Sequence, residues 1–112
     1  MYKLRKFKLA AEEIAPLLDR SMGSGFASDH ITVEGRPVGF MYRERRDNEI
    51  DSGWRFLSGD ETQEYMDQPD NLAIYDLNAI ANYDQAIIPF LEFAVGTELE
   101  RISGTNQFRL AT

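Results

Sequence analysis

The sequence contains no cysteine, so disulfides, thiolate metal sites and cysteine nucleophiles are excluded together. Histidine occurs once, at His30, which disfavours zinc and removes the commonest general base from most arrangements. No apolar run approaches the roughly 20 residues of a membrane-spanning helix. Glu12 and Glu13 break the only stretch of the basic amino terminus that could pass for a signal-peptide core. Basic residues are the minority, 12 Lys+Arg against 19 Asp+Glu, for a net charge of -7 and a pI near 4.6. Binding to a phosphate backbone needs the opposite surplus, so nucleic acid is not the expected partner. The expectation is a cytoplasmic soluble chain with no membrane association, no metal and no cofactor.

What remains is 112 residues, 43% hydrophobic and 28% charged, the composition of a globular chain. A chain of this size buries about 65% of its unfolded surface, enough for one core without staples. One domain over 1–112 is expected. The charge is polarised along it. Lys3, Arg5, Lys6 and Lys8 stand without an acid in residues 1–9, whereas residues 59–100 carry ten acids and no base. That acidic stretch reads either as a solvated face or as a surface for a basic partner, since complementary charge speeds encounter.

Local pattern gives the coarse organisation. Tyr2, Leu4 and Phe7 do not alternate cleanly, yet Leu4–Leu9 is a candidate short strand with mixed faces. Ala10–Leu18 has a helical apolar spacing interrupted by Pro16. Phe26–Ser28 and Ile31–Val33 read as extended, with Glu34–Pro37 turning the second into a hairpin with Val38–Tyr42. Arg43–Gly53 is a polar loop, and Trp54–Leu57 is a strand able to pair with Val38–Tyr42. Ser58 or Asp60 can cap a helix over Glu61–Met66. Leu72–Tyr75 is a strand, Asp76 an N-cap for Leu77–Asn82, and Asp84 a cap for a turn carrying Ile87, Ile88 and Leu91. Thr97–Ile102 and Gln107–Leu110 form a last hairpin. Strands and short helices without βαβ alternation give an α+β class, mainly antiparallel strands and hairpins with short helices.

Catalytic constellations are sparse. Ser28-Asp29-His30 places a hydroxyl, a carboxylate and an imidazole side by side, but triad members meet through the fold, and a surface histidine is the plainer reading. Asp60-Glu61 and Glu98/Glu100 are carboxylate pairs of the kind expected by chance among 19 acids. Asp47, Glu49 and Asp51 match the first ligands of a calcium loop, which fails at Ser52 and Ser58, where Gly and Glu are required. A carboxylate-based enzyme or calcium-binding domain is therefore the weakest reading. Aromatic residues interleaved with the acids are the composition of a recognition surface. The candidate contact residues are Asp60, Glu61, Glu64, Tyr65, Asp67 and Asp76, with Trp54 as an aromatic anchor. Trp54 and Phe56 also read as core positions of a strand, and Asp76 has a competing role as a cap. Charge reversal at Glu61 and Glu64 is expected to weaken a complex without unfolding the chain.

Several runs carry a resemblance: Val38–Glu44, Asp51-Ser52-Gly53-Trp54-Arg55-Phe56-Leu57-Ser58-Gly59-Asp60-Glu61, and Asn71–Asn78 followed by Ile80 and Asn82-Tyr83-Asp84. Over roughly residues 23–108 the sequence resembles the bacterial immunity protein 33 family. That resemblance implies an α+β fold and a role in a polymorphic toxin system, in which an immunity protein binds and neutralises a cognate toxin. It implies no catalytic residue. The alternative from the residues alone is a general interaction or regulatory module.

Overall fold

A computed structural model describes residues 3–111; Met1, Tyr2 and Thr112, included in the expected domain, lie outside the described residues. Six strands form one mixed sheet: β1 Ser24–Ser28, β2 Phe40–Arg43, β3 Asp51–Leu57, β4 Leu72–Asp76, β5 Glu98–Arg101 and β6 Phe108–Leu110. Their order is β4-β1-β3-β2-β5-β6. Every neighbouring pair is antiparallel except β1 and β3, which run parallel with a register shift between Ser24 and Phe26. Among the described residues, three short α-helices accompany the sheet: α1 Asp29–Thr32, α2 Gln63–Met66 and α3 Leu77–Tyr83. The α+β class holds, and the radius of gyration of 13.3 Å is that of a single globule, about 13 Å for this length.

Alternation along the strands sorts side chains cleanly between two faces. Ala27, Met41, Trp54, Phe56 and Leu99 point to one face and are buried against Leu77, Ile80 and Ala81 of α3, Ile31 of α1, and Ile87 and Leu91 beyond α3. The opposite face carries Ile74, Phe26, Arg55, Tyr42 and Glu98, aligned by register across five strands. Phe40, Leu57 and Glu100 form a second row beside them. α1 and α3 pack on the first face or its ends, so no helix of the core covers the second, where Arg55 and Asp51 are instead buried beneath Glu44.

The caps read from sequence are in place at α3 and after it. Asp76 accepts from the Asn78 N–H at 3.0 Å, and Asp84 accepts from Ala86 N–H at 3.1 Å to start a 3-10 turn over Gln85–Phe90. Asp84 also accepts from Val38 N–H at 2.9 Å and pairs with Arg101, tying that turn to the sheet. The helix expected over Glu61–Met66 begins later, at Gln63, because Thr62 is the residue whose hydroxyl accepts from Tyr65 N–H.

Three local expectations are corrected. Residues 31–33 do not form a hairpin strand: Ile31 and Thr32 lie in α1, whose end is closed by Gly35 at φ +75°. Gly35 N–H donates to Ile31 O at 3.1 Å, a left-handed helix end that overrides the β preference of the Ile-Thr-Val run. Leu4–Leu9 joins no ladder; it is held by Lys8 N–H to Thr32 O and by the ion pair of Arg5 with Asp29 of α1. Ala10–Leu18 folds only as a 3-10 turn over Ala11–Glu13. Beyond it the backbone of Ala15, Leu17 and Leu18 bonds to the side chains of Asn78 and Asn82 on α3, in place of helical bonds that Pro16 interrupts.

Candidate functional site

Where β3 ends, the chain turns through Ser58-Gly59-Asp60-Glu61, and the Glu61 carboxylate folds back into that turn. It accepts from Ser58 N–H at 2.8 Å, Gly59 N–H at 2.9 Å and the Ser28 hydroxyl at 2.6 Å. Its side chain is only 2% exposed. Burial alone would raise its pKa, but the donors outweigh that penalty and hold it below the ordinary glutamate value. His30 lies alongside, Nδ1 2.8 Å from the Ser58 hydroxyl and 3.4 Å from Glu61, with its ring centroid 4.4 Å from that of Tyr65. The Tyr65 hydroxyl is buried with no hydrogen-bond partner among the described residues, and burial pushes its pKa up.

His30 is therefore a buried residue, against the expectation of a surface histidine. The sequence neighbours Ser28, Asp29 and His30 diverge to separate partners. Ser28 bonds Glu61, Asp29 receives Lys3 at 2.6 Å and Arg5 at 2.8 Å, and His30 meets Ser58. No nucleophile–base–acid relay links them. The group locks the end of β3 to the β1–α1 junction.

A second buried polar knot sits mid-sheet. Arg55, 3% exposed, donates twice to Asp51 at 2.9 Å each and once to Glu44 at 2.7 Å, while its guanidinium lies 4.6 Å from the Phe26 ring centroid. Asp51 also accepts from Asp47 N–H and Gly53 N–H, both near 2.9 Å. The Arg55 bonds hold the Asp51 carboxyl well below the usual range, while Asp51 raises the guanidinium. Gly53 serves this bend at φ +90°, where an added Cβ would meet Glu44 O at 2.2 Å. The calcium-loop spacing is thus answered by an arginine: Asp51 is consumed by Arg55.

The predicted contact residues fall in three places. Asp60, Glu64 and Asp67 are exposed around α2, with Tyr65 half-buried between them. Asp76 is exposed at the far end of β4, opposite Ser24, and its carboxylate is already engaged as a cap. Trp54 and Glu61 do not reach the surface. Trp54 is fully buried, its indole N–H donating to Leu91 O at 2.9 Å, so it is no partner anchor. Glu61 is a structural carboxylate, and its reversal is expected to unfold the turn rather than spare it. Glu61→Gln should lower stability by about 2 kcal/mol in urea denaturation, because an amide cannot accept from all three donors. Glu61's folded pKa is depressed, so its contribution is complete above its unfolded pKa of roughly 4.3 and fades as pH falls below it. The variant's stability should accordingly vary less with pH in acid.

Sequence reasoning missed Ser28, His30, Ser58 and Arg55 as partners of these knots. One signal was present: Ser58-x-x-Glu61 is the spacing at which a glutamate reaches back to the N–H of a serine three residues earlier.

A family model for the Immunity protein Imm33 domain matches residues 25–112. Comparison with curated proteins gave no match, and neither did comparison with solved structures. The match spans most of the sequence, and the chain belongs to the Imm33 immunity protein family.

Proposed function

We propose that this chain is a non-catalytic inhibitor that neutralises a cognate toxin in the cytoplasm by binding it directly through an acidic surface. Membership of the family carries the reading. Charge supports its chemistry. Among the described residues, the exposed carboxylates around α2, Asp60, Glu64 and Asp67, make no ion pair closer than that of Asp60 with Arg36 at 3.5 Å. A toxin that acts on nucleic acid must present a cationic site, and carboxylates can occupy it in place of phosphates. The two hydroxyl-bearing and imidazole groups that catalysis would recruit, Ser58 and His30, are spent on holding the Ser-Gly-Asp-Glu turn.

The test is co-expression with the toxin encoded beside this gene, followed by binding kinetics of the purified pair. Rescue of growth and a stoichiometric complex are expected. Combined reversal of Asp60, Glu64 and Asp67 to lysine should slow association roughly tenfold at low ionic strength. The melting temperature should move little, since these side chains are solvated. Association unchanged in the triple variant would move the acidic contact away from α2.

A further inference from the structure

The second face of the sheet is built unlike an ordinary solvent face. Phe26, Phe40, Tyr42 and Leu57 form a half-buried floor, with the Phe40 and Tyr42 rings 5.7 Å apart. Ile74 on β4 is 60% exposed, and Ile50, just before β3, is 72% exposed. Two hollows open on this floor. One, of about 220 Å³, lies between Phe26, Ile50, Ile74 and Asp47. The other, of about 300 Å³, lies between Phe40, Leu57, Met66 and Glu100.

The rim of this face is acidic. Glu44, Asp47, Glu98 and Glu100 border it; Glu44 and Glu100 are paired with Arg55 and Arg109, while Asp47 and Glu98 stay exposed. Arg55 is buried beneath Asp51 and Glu44, and Arg109 pairs with Glu100 at 2.9 Å. We infer that this open sheet face is where the toxin docks, receiving lysine or arginine side chains from a basic protein surface. Each would lay its aliphatic stem along the floor and turn its charged head to a rim carboxylate. The inference rests on the proposed function and gives it a place. An apolar centre with a charged rim is the anatomy of a specific interface, and the α2 carboxylates extend the rim past Met66. A second copy of this chain is disfavoured as occupant, because the carboxylate rim would then face itself.

The experiment measures binding of the full chain to the purified toxin encoded beside its gene, with three variants. Ile50→Ser with Ile74→Ser removes apolar contact without altering charge and should weaken the Kd at least about tenfold, mainly through faster dissociation. Asp47→Lys with Glu98→Lys should slow association about tenfold, an effect that high salt abolishes. Leu110→Ser, equally exposed but on the other side of the sheet, should bind like the parent chain. If the parent chain itself does not bind the toxin, the proposed function fails. Should it bind while both double variants match it, the sheet face is overturned and the function stands. A parent dimer that Ile50→Ser/Ile74→Ser converts to monomer would assign the face to a second copy and overturn the inference equally.

Discussion

Asp51→Ala is expected to lower the unfolding free energy by about 3–5 kcal/mol, the cost of leaving a buried charge without its partner. In a chain of this size that corresponds to a fall of roughly 12–20 °C in melting temperature. Arg55 is the charge left behind: it is 3% exposed, and Glu44 replaces only one of its three carboxylate bonds. Two backbone donors, on Asp47 and Gly53, lose their acceptor at the same time. Replacing both members of the pair, as Asp51→Leu with Arg55→Met, should recover part of the loss by removing the orphaned charge. It cannot recover all of it, because those two N–H groups still lack a partner. The pair also gives the acid response a sign. Asp51 is depressed in the fold, so its stabilisation is complete above its unfolded pKa of about 3.9 and is withdrawn as pH falls toward the lower folded value. Chemical denaturation at a series of acid pH values should show a steeper loss for the parent chain than for Asp51→Ala.

Trp54→Ala should cost about 3–5 kcal/mol, the range for emptying a large aromatic site in a packed core. Against a total of roughly 5–15 kcal/mol, that brings the chain close to unfolding. The ring lies 6.1 Å from Phe56, and its N–H satisfies the carbonyl of Leu91, so the substitution removes packing and a hydrogen bond together. Because Trp54 is the one tryptophan in the sequence, its fluorescence reports this directly. Native emission should be blue-shifted and shielded from aqueous quenchers, and unfolding should move it to the red. A tryptophan serving as a surface anchor would give the reverse: quenchable emission, and an alanine variant that melts like the parent.

The parts of this fold that were legible in sequence are those specified by near neighbours. Asp76 and Asp84 announce the starts of α3 and the turn after it because a cap acts over two or three residues. Trp54 and Phe56 alternate with Arg55 and Leu57, so β3 and its core face follow from period two. Val38–Tyr42 pairs with Trp54–Leu57 much as their patterns suggest, with β2 beginning at Phe40. What was not legible depends on residues far apart. His30 is buried because Ser58 and Glu61 arrive from the other end of β3, and nothing around Ser28-Asp29-His30 signals that arrival. Ile31-Thr32-Val33 has strand-forming side chains, yet the positive φ at Gly35 and the core position of Ile31 favour a helical turn. The candidate site was half legible for the same reason. Asp60, Glu64 and Asp67 sit where exposed acids are expected, whereas Glu61 differs from them only through partners that its charge does not reveal.

The residues that carry the family resemblance are largely committed to internal bonds. Asp51, Gly53 and Arg55 build the mid-sheet knot, Ser58 and Glu61 close the turn, and Asp76 and Asn78 start α3 and strap the preceding segment to it. Within the same runs, Phe40, Tyr42 and Ile74 carry no such bond and turn toward the second face of the sheet.

The place of β1 has a consequence in time. It is the first strand in the chain, yet its neighbours are β3 and β4, so Ser24 meets Asp51 only after β2 has been passed and Asp76 later still. Pairings so distant in sequence meet their loop-closure cost before their contacts form, which slows folding relative to a chain of local contacts. During synthesis, Phe26 and Ala27 can meet β3 first, and their other edge stays unpaired until β4 has emerged. β1 is therefore flanked on both sides only once Asp76 has been made, and the sheet closes around its earliest strand late in synthesis.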